Sequence, residues 1–511
     1  MRAGIYRYDT LPCFIRKTAH LALLERDSKI SSYLNATVDR DIRRCGQFLR
    51  EDAPSLAVRS TPKELVVKPV LTYGVYERRE AASWRPWGGI ASDQQAKEEA
   101  RRIEKELREL KEKAEFPLKI LPISLVKTYE QARNIEQADV TLLYAAGGSE
   151  GLLISVLTHG PAIVFIRHKS GPLYLWYEII DARLIRRYND RIGQTLIDYD
   201  DVVVDSLDEL LRKLRALYGL KNTIGAKVVA VGGASGWAIG RKAAELAKLR
   251  WGLDIVEVSY DELGERIKKA KSDPRVVEEA RRRAEEYLSS SDVQLKTRKN
   301  FVVNAFILYH VFKQLLEEHD AEIITINECM TTIMPIAQTT ACLTLSLLND
   351  EGYLAFCESD FVAIPAGILL HYISGKPVFL NDPTLPHQGI VTVAHCTAPR
   401  KMDGKKLEPV QIVTHFESDW GAAPKVEFRK GQVVTMLIPD FEEKTWVGFR
   451  GKIIETPFLP ICRSQAEVEI GGDWRRLLRE LRGFHWIMAY GDYLEELSYA
   501  LKKAGMNWVK I

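Results

Sequence analysis

Short runs of apolar and β-branched residues alternate with segments of helical spacing through most of this chain, and that alternation restricts the fold more than any other feature. LKILPISLV, ADVTLLYAAGGSEG and GPAIVFIRH succeed one another behind a long charged helical stretch, Gln95 to Ala114. DVVVDS, AKVVAVGG, DIVEVSY and AEIITINE follow, with helical segments between them. A strand that is apolar throughout has both faces covered, and strand–helix–strand alternation is what a parallel sheet between helices requires. Beyond residue 350 the pattern changes. GIVTVAHCT, PVQIVTHFE, KVEFRKGQVVTMLIPDF, KTWVGFRGKIIET and AEVEIG are separated by Gly, Pro and Asp turns, the pattern of antiparallel strands. The predicted class is therefore α/β: two N-terminal parallel-sheet domains of Rossmann or flavodoxin type, then a β-rich, antiparallel barrel-like C-terminal domain. The expected boundaries are 1–172, 173–350 and 351–511, with most of the functional site in the last.

Three domains suit the length, because a single hydrophobic core stops growing at roughly 250–300 residues and this chain has 511. Lys and Arg number 72 against 69 Asp and Glu. So small an excess creates no field that calls for nucleic acid. No run is long and apolar enough for a bilayer, and MRAGIYRYDTLPCF lacks the core of an export signal, so a cytoplasmic protein without a membrane partner is expected. The seven cysteines contain no CxxC pair and read as reduced thiols packed as small apolar groups.

Chemistry is expected where apolar strands end on acids. The run Ile323 to Ile326 leads into Asn327, Glu328 and Cys329, and ligands of α/β sheets bind at the carboxyl ends of strands. YLAFCESDF ends on Glu358 and Asp360, which strand periodicity turns to the same side. A carboxylate in such apolar surroundings must be paired, protonated or metal-bound; Asp360 also suits the cap of a helix over Phe361 to Ile373. His387, His395 and His485 follow in compatible places, each with a purely structural role as its alternative. Oxygen donors with one imidazole suit manganese, magnesium or cobalt better than a closed zinc site. The turn VGGASGWAIG sits between strand and helix as a phosphate loop does, but it matches neither GxGxxG nor GxxxxGK[ST] and reads as a tight packing turn.

CESDFVAIPAGILLHYISGKPVFLNDPT, then VAHCTAP, then GFHWIMAYGD resemble the C-terminal half of the L-fucose and L-arabinose isomerase superfamily, over about residues 321 to 492. That resemblance implies a metal-dependent aldose–ketose isomerase acting on a monosaccharide through a cis-enediolate. It implies Mn2+ (or Mg2+ or Co2+) on Glu328, Asp360 and His485, with Glu328 and Asp360 doubling as acid and base. Glu358 rivals Asp360, since the 32-residue step from Glu328 to Asp360 is longer than the family's spacing; His395 and Asn381 are further candidates. It also implies a homo-oligomer, trimeric or hexameric. Two alternatives share these observations: another metal-dependent sugar or sugar-acid enzyme, catalysing epimerisation or aldol cleavage, and a sugar-binding protein without catalysis.

Overall fold

The structure, a computed structural model, describes residues 62–177, 185, 197–440 and 444–511. The N-terminal reading, with Cys13 and Cys45, lies outside these residues. The chain divides into two compact units that meet in sequence at Leu217 and Tyr218.

In the first unit, β1 (Leu65–Thr72), β2 (Leu118–Ile120), β3 (Ser124–Val126), β4 (Val140–Ala145), β5 (Ala162–Ile166) and β6 (Val202–Val204) form one wholly parallel sheet. Its order is β2-β1-β4-β5-β6, with β3 also on β1. The run LKILPISLV becomes two strands because Pro122 falls between them and has no N–H for the ladder. The charged helix spans Asp93–Lys113, capped by the Ser92 hydroxyl on the Gln95 N–H. Its buried positions Ala96, Ala100, Ile103, Leu107 and Leu110 recur every three to four residues, which gives one apolar stripe. Glu99 on that stripe is buried but paired with buried Arg167, which also meets Glu106 at 2.7 Å.

The second unit opens with another parallel sheet. It comprises β7 (Lys227–Val231), β8 (Asp254–Val258), β10 (Ile323–Ile326) and β11 (Leu354–Cys357) in the order β11-β10-β7-β8. Between them in sequence, β9 (Val293–Leu295) pairs with β14 (Val410–Val413), which pairs with β15 (Ala423–Val426). Every side chain of β10 and β11 is buried, so both faces of these two strands are covered.

The barrel-like expectation is met by a closed antiparallel barrel. β12 (Phe379–Pro383), β13 (Ile390–His395), β16 (Val433–Ile438), β17 (Thr445–Glu455), β18 (Ser464–Gly471) and β19 (Trp486–Tyr490) pair in the circuit β16-β19-β12-β13-β18-β17-β16. β20 (Asn507–Lys510) adds to β17 in parallel. KVEFRKGQVVTMLIPDF, read as one strand, is two, since Gly431 takes a left-handed φ of 78° between β15 and β16. Met436, Phe449, Val468, Trp486 and Met488 fill the core from several barrel strands. Among the described residues, no helix is long and apolar enough to cross a membrane.

Gly448 lets β20 close on β17: a Cβ there would fall inside the Trp508 indole. Gly448→Val is expected to destabilise the protein by about 1–3 kcal/mol through overpacking. A lower urea midpoint at unchanged slope would register it; an unchanged midpoint would show that β20 is not held at this contact.

Candidate metal centre

Two sets of strands bring the site together within the second unit. β10 and β11 are parallel neighbours with Ile326 opposite Cys357, so Glu328 and Glu358 leave the same end of the sheet. From the barrel, β12 pairs Asp382 with Ala394, which precedes His395, and pairs Asn381 with Trp486, which follows His485.

The backbone at the sheet end is unusual. Glu328, Glu358 and Ser359 have φ of 49°, 62° and 45°. Non-glycine residues held in this region cost of order 1–3 kcal/mol each and persist only where their surroundings fix them. Here the loop after β7 does so: the Ser235 N–H donates to the Ser359 carbonyl at 3.3 Å, and the Phe361 N–H donates to the Ser235 carbonyl at 3.0 Å. Leaving the strand through left-handed residues separates side chains that strand periodicity would have kept together.

Glu358 is the acid that faces the histidines. Its Oε1 lies 3.6 Å from His395 Nε2 and its Oε2 lies 3.4 Å from His485 Nε2. One donor atom from each of these three residues falls within a common 4.8 Å. Asp382 Oδ1 lies 3.3 Å from His485 Nε2. Asp360 stands behind this group: its Oδ2 accepts from His485 Nδ1 at 2.8 Å, and its Oδ1 accepts the Val362 N–H at 3.1 Å. The cap it provides is to this turn, because the following helix, Ile364–Ser374, starts at Ala363. His395 Nδ1 meets the Thr397 hydroxyl at 3.0 Å. Both imidazoles thus have one nitrogen held from behind and the other, Nε2, directed inward.

The remaining candidates lie at or beyond the edge of this group. Exposed Glu328 accepts a hydrogen bond from Thr332 at 2.6 Å and belongs to neither set of clustered donors. Buried Asn381 donates to the Phe379 carbonyl, leaving its Oδ1 unpartnered. His387 is exposed on the turn before β13. Asp382 is not among the candidates read from the sequence; its signal was an acid directly behind the buried FLN of β12.

His395 Nε2, His485 Nε2 and Asp382 Oδ1 are buried without a hydrogen-bond partner. Groups of this kind are normally satisfied, and several aimed at one point could hold a ligand. Two imidazole nitrogens and two carboxylates suit a divalent cation such as manganese or cobalt. They fit magnesium less well, since it prefers an all-oxygen set. The Asp360–His485 and Thr397–His395 contacts are of the kind that orients an imidazole for metal binding.

Without a cation, protons balance the charge. Burial opposes protonation of His485, yet Asp360 and Glu358 prevail and push its pKa up to about 10. Burial likewise opposes a proton on His395, and Glu358 and Asp382 outweigh it. Burial would raise Glu358, but the two histidines hold it well below the usual carboxylate range. Asp382 is raised, chiefly by burial. Comparison with known proteins assigns no family, as neither a family description nor a curated sequence matches the chain.

His485 moves from 6.5 when unfolded to about 10 when folded. Its contribution to stability is therefore complete below pH 6.5 and lost as pH rises through 10. Metal-free protein is expected to melt lower at pH 9.5 than at pH 6 (both about), and Asp360→Asn to flatten that slope. Excess Mn2+ should reverse it, because a cation replaces the proton and binds better as pH rises. Identical pH profiles with and without Mn2+ would count against a metal at this site.

Proposed function

We propose that the protein is a metal-dependent aldose–ketose isomerase of the L-fucose and L-arabinose isomerase type. The observation that carries this reading is the convergence of three unpartnered buried atoms with the Glu358 carboxylate, at the end of a parallel sheet and the rim of a barrel. Glu358, His395, His485 and Asp382 would hold Mn2+ or Co2+, and Asp360 would orient His485. When bound, the cation would supply positive charge against the negative charge that develops on the two sugar oxygens during isomerisation.

The chain's own residues would do the rest. Isomerising an aldose moves one proton between C2 and C1 and another between the attached oxygens. Glu328 is suited to the carbon proton: it is exposed, so a substrate can reach it, and the Thr332 hydroxyl fixes its carboxylate. Glu358 is suited to holding the cation and serving the oxygens, because its two carboxylate oxygens face the Nε2 atoms of both histidines. Asn381 Oδ1, buried and unpartnered, can accept a hydrogen bond from a substrate hydroxyl. The substrate would be a monosaccharide, and a homo-oligomer and a cytoplasmic location go with this reading.

Epimerisation or aldol cleavage would use the same centre, and product analysis separates them: ketose from aldose supports isomerisation, whereas a C2 epimer or two shorter fragments supports the others. Glu358→Gln is expected to abolish Mn2+ binding in calorimetry together with turnover. Glu328→Gln should keep Mn2+ binding and lose about 10²–10⁴-fold in kcat. Full activity in either variant would sink the assignment of that residue, and in both would sink the isomerase reading.

A further inference from the structure

Trp237 and Phe484 form an aromatic pair at the rim of this centre that no part of the mechanism above uses. Their rings stack with centroids 3.8 Å apart and planes 8° apart. Both nevertheless face solvent, Trp237 at 56% and Phe484 at 38% exposure. By contrast Trp176, Trp251, Trp446 and Trp486 are fully buried. A large apolar surface left in water beside a polar cluster is a mark of binding, because burying it elsewhere would have favoured folding.

The pair is tied to the site from both sides. Phe484 precedes His485, and its ring stands edge-on to the imidazole at 4.8 Å and 89°. Trp237 lies on the loop whose Ser235 bonds to Ser359 and Phe361, the segment that carries Asp360. The Gly240 N–H closes the turn beneath it on the Gly236 carbonyl at 3.0 Å. Gly236 is needed there: a Cβ would collide with Ala243 and come within 3.3 Å of Asp360 Oδ1. Backbone contacts therefore fix the Trp237 ring against the metal-binding residues, leaving its outer face open.

A sugar is amphipathic in the way this rim is. Its hydroxyls suit the Glu358, Asp382 and histidine cluster, and its C–H face suits an aromatic plane. Resting on the isomerase reading, we propose that Trp237, backed by Phe484, is the stacking platform that receives the C–H face of the sugar at the end away from the reacting carbons. Trp237 thereby helps decide which aldoses are accepted. The pair bridges the loop after β7 and the strand entry at His485, so it can register a sugar against both.

The test uses the full chain loaded with Mn2+ and a panel of aldopentoses, aldohexoses and their alditols, with binding followed by equilibrium dialysis and turnover by ketose formation. Trp237→Ala is expected to weaken alditol binding and raise KM about tenfold. Its kcat should change far less, with Mn2+ affinity and oligomer size unaltered and most of the loss recovered in Trp237→Tyr. Unchanged KM and alditol affinity would overturn the proposal, as would a loss of Mn2+ affinity or a change of oligomer size that accounts for the effect. A wild type that binds sugars without isomerising them removes the isomerase reading but leaves the platform to be judged on the binding ratio. One that binds no sugar overturns both.

Discussion

Two imidazoles and the carboxylates of Glu358, Asp360 and Asp382 are gathered where little water reaches them, and much of the second unit is arranged around what that costs. A buried charge left alone is worth several kcal/mol against folding, so each group must find a partner. Asp360 and His485 satisfy one another at 2.8 Å. Glu358 faces two histidines and stays ionised between them. Yet His395 Nε2, His485 Nε2 and Asp382 Oδ1 still lack partners. Protons on the histidines moderate the excess of negative charge, with His485 Nε2 facing Asp382 Oδ1 at 3.3 Å. On the proposed reading a divalent cation would answer all three atoms and the charge together.

The choice between Glu358 and Asp360 shows where sequence reasoning stops. Alternation along a strand sends residues 358 and 360 the same way, but the strand ends at Cys357 and the next two residues are left-handed. Non-glycine residues announce such a conformation poorly, because their own preferences oppose it; it is imposed here by the loop after β7, from far away in the sequence. Asp382 was hidden for a similar reason. Its importance comes from lying beside Ala394 and His395 across the barrel, a relation that no local pattern carries. Glu328, read as the acid beyond a short apolar strand, follows β10 but stands outside the clustered donors, whereas His485, named through family resemblance and local context, lies among them.

Most strands and helices were readable where their pattern was strong. Ile323–Ile326 lies where its apolar run puts it, and the helix Asp93–Lys113 lies within a residue or two of the expected Gln95 to Ala114. Parallel sheets followed from runs apolar on both faces. The barrel-like expectation was met, but the pairing that closes the barrel was not legible: it depends on β16 joining both β17 and β19, and only the second of these partners is distant in sequence. Alternating strands separated by turns suit an open sandwich equally well until that last pairing is known.

The thiols beside the centre raise the question of whether a softer metal would be preferred. Cys329 and Cys357 offer sulfur within reach of Glu358, so one carboxylate belongs to two sets of donors. The neighbouring Cys329 thiol and burial drive the Cys357 pKa well up, and only the thiolate is a good ligand. The two sulfurs also face one another at 3.2 Å. Both Glu358 oxygens, meanwhile, are directed at histidines whose outer nitrogens are already held for coordination. On the proposed reading the nitrogen and oxygen set is the better placed of the two, with the cysteines packed as small apolar groups beside Glu358.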